Sequence, residues 1–195
     1  MTFKVSRFNL THNDWMNMLK FALVILVAMI VGCASMPDAS NVRKVYLVRH
    51  AEKVIDGSKD PDLSEIGKQR AERLARRLRN ANIQTIYSTE FKRTQQTAAP
   101  LAQKLGITVR TLQTPTMPDD VYVLTDEAKL NVSNALRDAS QGNILLVGHS
   151  NTLTEIAESL GAPKQPRIDD AEYDRIYTIT FSGEQFQSIK LERYR

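Results

Sequence analysis

The sequence predicts an α/β fold: a three-layer sandwich with a mostly parallel central sheet, helices on both faces and a C-terminal β-hairpin. Short apolar runs alternate with segments whose apolar residues recur at helical spacing, a pattern typical of a sheet covered by helices. Near the C-terminus, residues 176–181 and 185–191 flank Ser182-Gly183-Glu184, which predicts a hairpin of antiparallel edge strands. A length of 195 residues indicates one domain.

Four strands and four helices are expected to alternate ahead of the hairpin. The predicted strands are residues 45–48, 83–87, 108–112 and 144–147, of which the first and the last are continuous apolar runs. The helices each carry one apolar face and fall within residues 64–78, 91–105, 128–136 and 152–160. Ser64 is expected to cap the first helix. The second helix is expected to bend or restart near Pro100, because proline has no backbone N–H.

The N-terminal segment differs in composition from the rest of the chain. Lys20 precedes an apolar run over residues 21–31, which is typical of a secretory signal, since a membrane span needs about 20 apolar residues. Ile30-Val31-Gly32-Cys33 resembles the bacterial lipobox, in which the cysteine is lipidated and becomes the first residue of the mature chain. We therefore expect a signal peptide over residues 1–32, a polar tether over 33–41 and a folded domain over 42–195.

Other interpretations of this segment remain open. It could be a plain signal peptide or an uncleaved anchor with an incidental cysteine, and Met16 or Met18 could be the true start. The lipoprotein interpretation predicts a lipid-anchored protein of the bacterial envelope on the periplasmic side. Ala34 follows Cys33, which resembles the outer-membrane sorting pattern.

Charge argues against a nucleic-acid partner. The whole chain carries a formal net charge of +4. Removing the predicted signal removes three cations and one anion and leaves +2, which is close to neutral. The residues that leave are Lys4, Arg7, Lys20 and Asp14. Because the single cysteine would be lipidated, no thiol would remain for a disulfide.

Two of the predicted strands end in a histidine. Residues 45–48 run into Arg49-His50, and residues 144–148 run into His149. In open α/β sheets, ligands bind at the carboxyl ends of the strands, so these residues are expected to line one site. His12, the third histidine of the chain, lies in the predicted signal. A neutral imidazole can attack phosphorus and form a phosphohistidine, while arginines bind phosphoryl oxygens through two parallel hydrogen bonds.

Four segments, in order along the chain, resemble the histidine phosphatase superfamily, the phosphoglycerate-mutase-like proteins. They are Val48-Arg49-His50-Ala51-Glu52, residues 60–67 (DPDLSEIG), Tyr87-Ser88 with residues 93–98 (RTQQTA), and Val147-Gly148-His149. The resemblance implies a catalytic domain in which His50 is the nucleophile. Arg49 and Arg93 would bind the phosphoryl group, and His149 would stabilise the transition state.

The leaving group also needs a proton, and three donors remain open. The mutase-like branch of the superfamily supplies a glutamate from the loop after the third strand, where this chain has Asp119 and Asp120. The acid-phosphatase branch has an aspartate directly after the second histidine, where this chain has Ser150. Glu52, next to the nucleophile in sequence, is the third candidate.

Together these features predict a metal-independent phosphomonoester hydrolase that uses no cofactor. Its short chain resembles the compact members of the superfamily, and its expected substrate is a phosphorylated small molecule or envelope component. The alternative is a catalytically inactive, phosphate-ligand-binding envelope lipoprotein on the same fold. A purely structural lipoprotein would not explain two histidines at strand ends.

Overall fold

A six-stranded mixed sheet forms the centre of this computed structural model, which describes residues 42–113, 124–138, 140 and 142–195. The strands lie in the order β3-β2-β4-β1-β5-β6. They are β1 (Val42–Arg49), β2 (Ile83–Thr89), β3 (Val109–Leu112), β4 (Asn143–Gly148), β5 (Arg175–Ser182) and β6 (Gln185–Arg193). The predicted signal peptide, Cys33 and the tether lie outside the described residues.

Parallel and antiparallel pairing divide the sheet at β1. The pairs β3–β2, β2–β4 and β4–β1 are parallel, whereas β1–β5 and β5–β6 are antiparallel. The last two strands form a hairpin with a positive φ of 58° at Gly183, a conformation that glycine adopts without steric cost. The predicted α/β fold with a C-terminal hairpin is therefore confirmed.

Helices cover both faces of the sheet. They are α1 (Glu65–Leu78), α2 (Lys92–Leu105), α3 (Asp126–Arg137) and α4 (Leu153–Ser159). Successive side chains of a strand point to opposite faces, so Tyr46 and Val48 pack with α1 and α2 while Val45 and Leu47 pack with α3 and α4. Within the described ranges, no helix is both long enough and apolar enough to cross a membrane.

The helix ends follow the predictions with two differences. The N–H of Gly67 donates to Ser64 Oγ at 3.2 Å, so Ser64 caps α1 as expected. Helix α2 does not restart at Pro100 but runs through it as one element, because its buried face packs on the sheet. The last helix starts later than predicted, at Leu153, and Thr152 lies at its N-cap position.

Strand pairing brings the two histidine-bearing strand ends together. Strands β1 and β4 are direct neighbours, and their register sets Arg49 opposite Gly148. The backbone N–H of His50 continues this ladder by donating to the carbonyl of Gly148 at 2.9 Å. His50 and His149 therefore emerge side by side from the carboxyl edge of the sheet.

Candidate active site

His50 is buried, and its ring is fixed by a backbone contact. Only 5% of its surface is exposed. Its Nδ1 lies 2.7 Å from the carbonyl oxygen of Ala51, and because a carbonyl only accepts hydrogen bonds, Nδ1 carries the hydrogen. Burial lowers the pKa of His50 to about 3, and the positive charges of Arg49, Arg93 and Lys53 act in the same direction. The ring is therefore neutral, and Nε2 holds an unprotonated lone pair.

His149 faces His50 across the end of the sheet. The two ring centroids are 5.5 Å apart, and the planes meet at 63°. His149 Nε2 lies 3.0 Å from the hydroxyl oxygen of Thr89, at the end of β2. Burial lowers the pKa of His149 well below its ordinary value, and the neighbouring His50 and the nearby cations add to the effect. At neutral pH this ring is therefore neutral as well.

Arg49 is buried and held by a loop that precedes β5. Its Nη1 donates to three backbone carbonyls, those of Asp169, Asp170 and Glu172, at 2.9–3.1 Å. The ring of Tyr173 packs against the guanidinium, with 4.1 Å between Cζ and the ring centroid. The same ring lies 6.0 Å from that of His50. Burial lowers the pKa of Arg49 from its usual value, although an arginine remains charged at neutral pH.

Arg93 forms a similar arrangement beside His149. It is 4% exposed on the first turn of α2, and the ring of Phe91 lies 4.4 Å from its Cζ. Phe91 in turn meets the His149 ring edge-on at 5.3 Å. Arg93 Nη1 also lies 3.8 Å from a carboxylate oxygen of Asp60. Each arginine thus contacts one aromatic ring that also contacts one histidine.

A buried threonine joins the two halves of the site. The hydroxyl oxygen of Thr97 accepts a hydrogen bond from the N–H of Ala51 at 2.9 Å and donates to the carbonyl of Arg93 at 2.7 Å. One side chain therefore fixes the backbone after the His50 strand relative to the helix that carries Arg93. Two cations and two imidazoles converge here, an arrangement that can bind a phosphoryl group and attack its phosphorus.

The structure places Glu52 in an ion pair. Both of its carboxylate oxygens accept hydrogen bonds from Arg70 on α1, at 2.6–2.9 Å. Burial alone would raise the pKa of Glu52, but the hydrogen bonds from Arg70 outweigh it and hold that pKa below its usual value. At neutral pH the side chain is an anion committed to Arg70.

The other predicted residues fall outside the described ranges. Asp119 and Asp120, two of the three candidate acids, lie there, as does Cys33. Among the residues that the structure does describe, no three His, Cys, Asp or Glu side chains gather into a group that could hold a metal ion.

Sequence reasoning missed the residues that surround the predicted four. Tyr173, Phe91, Thr89 and Thr94 all contact a predicted site residue or one of its partners, yet none was assigned a role in the site. Phe91, Thr89 and Thr94 lie within a few positions of Arg93, so their proximity in sequence was a usable signal. Tyr173 lies in an irregular segment without periodicity, so its position in the sequence indicates at most the mouth of the site and not the contact with Arg49.

Comparison with known proteins tests the family. The model of the histidine phosphatase superfamily (branch 1) matches residues 45–114, which include Arg49, His50 and Arg93. The histidine phosphatase superfamily is the family that these comparisons support. The curated proteins that match include the probable phosphoglycerate mutase GpmB of Yersinia pestis (strain Pestoides F), 43% identical over 74 residues. That match covers 35% of this chain and 34% of the relative, so the chain matches only about a third of the relative's length.

Solved structures share the fold across most of the chain. The protein histidine phosphatase SixA, complexed with tungstate, aligns with a TM-score of 0.58 and 17% identity, covering 75% of this chain and 95% of that one. A mycobacterial glucosyl-3-phosphoglycerate phosphatase aligns with a TM-score of 0.56 and 16% identity, covering 78% and 98%. At this level of identity the likeness shows a common fold.

Proposed function

We propose that this protein is a phosphomonoester hydrolase that acts through a covalent phosphohistidine on His50. One observation carries the proposal: a neutral imidazole, with its hydrogen held on Nδ1 by the Ala51 carbonyl, lies beside buried guanidinium groups. The superfamily match over the segment with His50 and both arginines supports it. So do the activities for which the related proteins are named, since these are phosphatases or mutases.

His50 Nε2 would form a bond to phosphorus while the bond from phosphorus to the leaving oxygen breaks. The leaving oxygen takes a proton from an acid on the protein. Water then attacks the phosphohistidine, gives up a proton to the conjugate base, and releases inorganic phosphate from His50. Burial of His50 favours the first step, the attack on phosphorus, because it keeps Nε2 unprotonated at neutral pH.

Arg49 and Arg93 would carry the negative charge of the transferring group. Arg49 already uses Nη1 to bind three carbonyls, which fixes the plane of the guanidinium, and its buried Nε has no hydrogen-bond partner among the described residues. Phosphoryl transfer depends mainly on positioning and charge stabilisation, and a fixed, buried guanidinium provides both. A bound dianion would also raise the pKa of His149, so that the ring could become a cationic donor.

For the proton donor we favour the loop with Asp119 and Asp120 over Glu52. An acid must hold a proton at neutral pH, whereas Arg70 keeps Glu52 ionised. The whole scheme uses the side chains of this chain and requires neither a metal nor an organic cofactor.

We further propose that the mature protein is held in the bacterial envelope by a lipid on Cys33, on the periplasmic side and at the outer membrane. A phosphorylated small molecule or envelope component is then the expected substrate, and no nucleic-acid partner is expected. Incorporation of labelled palmitate into the wild-type chain, but not into Cys33→Ser, tests the anchor. Label in both proteins would contradict it.

The catalytic proposal is tested by rapid trapping of a labelled phosphomonoester into alkaline detergent. We expect a base-stable, acid-labile adduct in the wild type and in His12→Ala, and none in His50→Ala. Vanadate should inhibit turnover and EDTA should leave it unchanged; sensitivity to EDTA would contradict metal independence. If the ligand binds but neither adduct nor turnover appears, the inactive phosphate-binding lipoprotein becomes the better explanation.

A further inference from the structure

His149 and two threonine hydroxyls form a buried hydrogen-bond chain beside the proposed phosphoryl site. His149 Nε2 lies 3.0 Å from Thr89 Oγ1, and Thr89 Oγ1 lies 2.9 Å from Thr94 Oγ1. The three side chains are 4%, 5% and 0% exposed, respectively. The chain therefore connects the histidine at the end of β4 to the first turn of α2, away from solvent.

The far end of this chain fixes its direction. Thr94 Oγ1 lies 2.7 Å from the carbonyl oxygen of Phe91 and 3.0 Å from that of Thr89. A carbonyl oxygen only accepts, and a hydroxyl has one hydrogen, so the hydrogen of Thr94 points to a carbonyl. The hydroxyl of Thr89 must then donate to Thr94 Oγ1. This leaves Thr89 Oγ1 as an acceptor towards His149.

We propose that Thr94, acting through Thr89, is a positioning residue that holds the proton of neutral His149 on Nε2. In the facing ring of His50 the Ala51 carbonyl holds the proton on Nδ1. The two imidazoles, with centroids 5.5 Å apart, are therefore opposite tautomers. Their unprotonated nitrogens are Nε2 in His50 and Nδ1 in His149.

This assignment deepens the proposed hydrolase and rests on it where the reaction is concerned. When a dianionic phosphate raises the pKa of His149, the second proton, taken from solvent water, adds at Nδ1. Thr89 Oγ1 accepts from Nε2–H both before and after that addition. The ring can thus gain its charge without turning, which suits a group that must be in place when the transition state forms.

The tautomers are read directly by nitrogen-15 NMR of the imidazole rings in the full-length protein without substrate. The chain has only three histidines, and the substitutions His12→Ala and His149→Gln assign their signals. In the wild type we expect a protonated Nε2 and an unprotonated, downfield Nδ1 in His149, with the reverse in His50. Observation of Nδ1–H in neutral wild-type His149 would overturn the proposal, whatever the behaviour of any variant.

Substitution of Thr94 tests the relay itself. Thr94→Val keeps the shape but removes the acceptor that holds the Thr89 hydrogen, so Thr89 can donate to the ring and the Nδ1–H form of His149 should appear. Thr94→Ser retains the hydroxyl and should match the wild type, and the unchanged His50 signals show that the site is folded. A Thr94→Val protein that shows only the Nε2–H form would refute the relay.

Kinetics separate this proposal from the proposed function. In Thr94→Val, His149 loses the hydrogen bond that favours its Nε2–H tautomer, so kcat for aryl phosphates should fall by about tenfold. Thr94→Ser keeps the hydroxyl and should have the kcat of the wild type. If the tautomers are as proposed but the wild type shows no turnover and no adduct, the hydrolase fails and the relay stands. If the wild type turns over but its His149 carries Nδ1–H, the relay fails and the hydrolase stands.

Discussion

The ring of Tyr173 packs on the guanidinium of Arg49, with its centroid 4.1 Å from Cζ, and also lies 6.0 Å from the ring of His50. Tyr173 is only partly buried, so it lies where Arg49, His50 and solvent meet. It thereby becomes a residue on which phosphate binding can depend without any direct role in bond making.

Replacing Tyr173 with leucine should weaken the use of phosphomonoesters. A cation–π contact contributes about 0.5–2 kcal/mol, so kcat/KM should fall by about twofold to thirtyfold. Tyr173→Phe keeps the ring and is the matched control, expected to stay near the wild type. Steady-state kinetics with an aryl phosphate measure both, and a Leu variant as active as the Phe variant would show that the contact does not matter.

The variant Glu52→Gln shows whether Glu52 acts as a general acid or only stabilises the fold as an anion. Removing a general acid costs roughly 10²–10⁴ in rate, whereas losing charged hydrogen bonds costs about 1.5–3 kcal/mol of stability. Because Arg70 binds both oxygens of Glu52, we expect the loss of stability and a much smaller change in kcat. Urea unfolding and steady-state rates are measured on the same samples.

Arg70→Gln provides the control because it removes the same ion pair from the other side. Both single variants should lose similar stability, and the double variant should lose less than their sum. A selective fall of kcat in Glu52→Gln, with stability preserved, would instead return Glu52 to the role of acid.

Gly67→Ala should destabilise the domain although alanine favours a helix. A Cβ at Gly67 would lie 2.0 Å from the backbone oxygen of Glu52, so the backbone that follows His50 would have to move. Overpacking of this kind costs typically about 1–3 kcal/mol, more than the helix propensity returns. The exposed neighbour Lys68→Ala, expected to change stability by no more than about 0.5 kcal/mol, is the control in thermal or urea unfolding.

The two buried histidines should make stability depend on pH in mildly acidic solution. Burial lowers the pKa of His50 from 6.5 to about 3 and lowers that of His149 in the same direction. The unfolded chain therefore binds more protons as pH falls below about 6.5, so the free energy of unfolding decreases with falling pH. Each such proton contributes a slope of about 1.4 kcal/mol per pH unit.

Urea unfolding between pH 7 and pH 5 measures this slope, a range chosen because most carboxylates titrate below it. His50→Gln and His149→Gln should each remove a share of the slope. A free energy of unfolding that does not change across this range, or that rises as pH falls, would show that the histidines are not held neutral.

The sequence predicted the central part of the site because that part depends on strand ends. Arg49-His50 and Gly148-His149 each follow an apolar run, and parallel neighbours in a sheet bring such ends to one edge. The three-layer architecture followed from the alternation of strand patterns and helix patterns along the chain. The ordered segments that resemble the superfamily added Arg93, which spacing alone would have left on a solvated helix face.

The surrounding contacts could not be predicted for a physical reason. Arg49 is held by backbone carbonyls of residues 169–172, and any sequence supplies carbonyls, so no residue type marks such a partner. Tyr173 reaches the site from an irregular segment, where neither period 2 nor period 3.6 applies. Pro100 does not divide α2 into two helices, because the packing of α2 on the sheet outweighs the missing backbone donor.

The sheet order has a consequence for how the chain reaches its native state. Strand β4 lies between β1 and β2, and in this sheet it is the element that joins them. Until the ribosome has released residues 143–148, β1 and β2 each expose an unpaired edge, and pairings between such distant segments form slowly. His50 and His149 meet only when β4 inserts. A nascent chain that ends before β4 therefore exposes unpaired strand edges that can aggregate, and His149 is not yet beside His50. Protection from aggregation matters most at this stage.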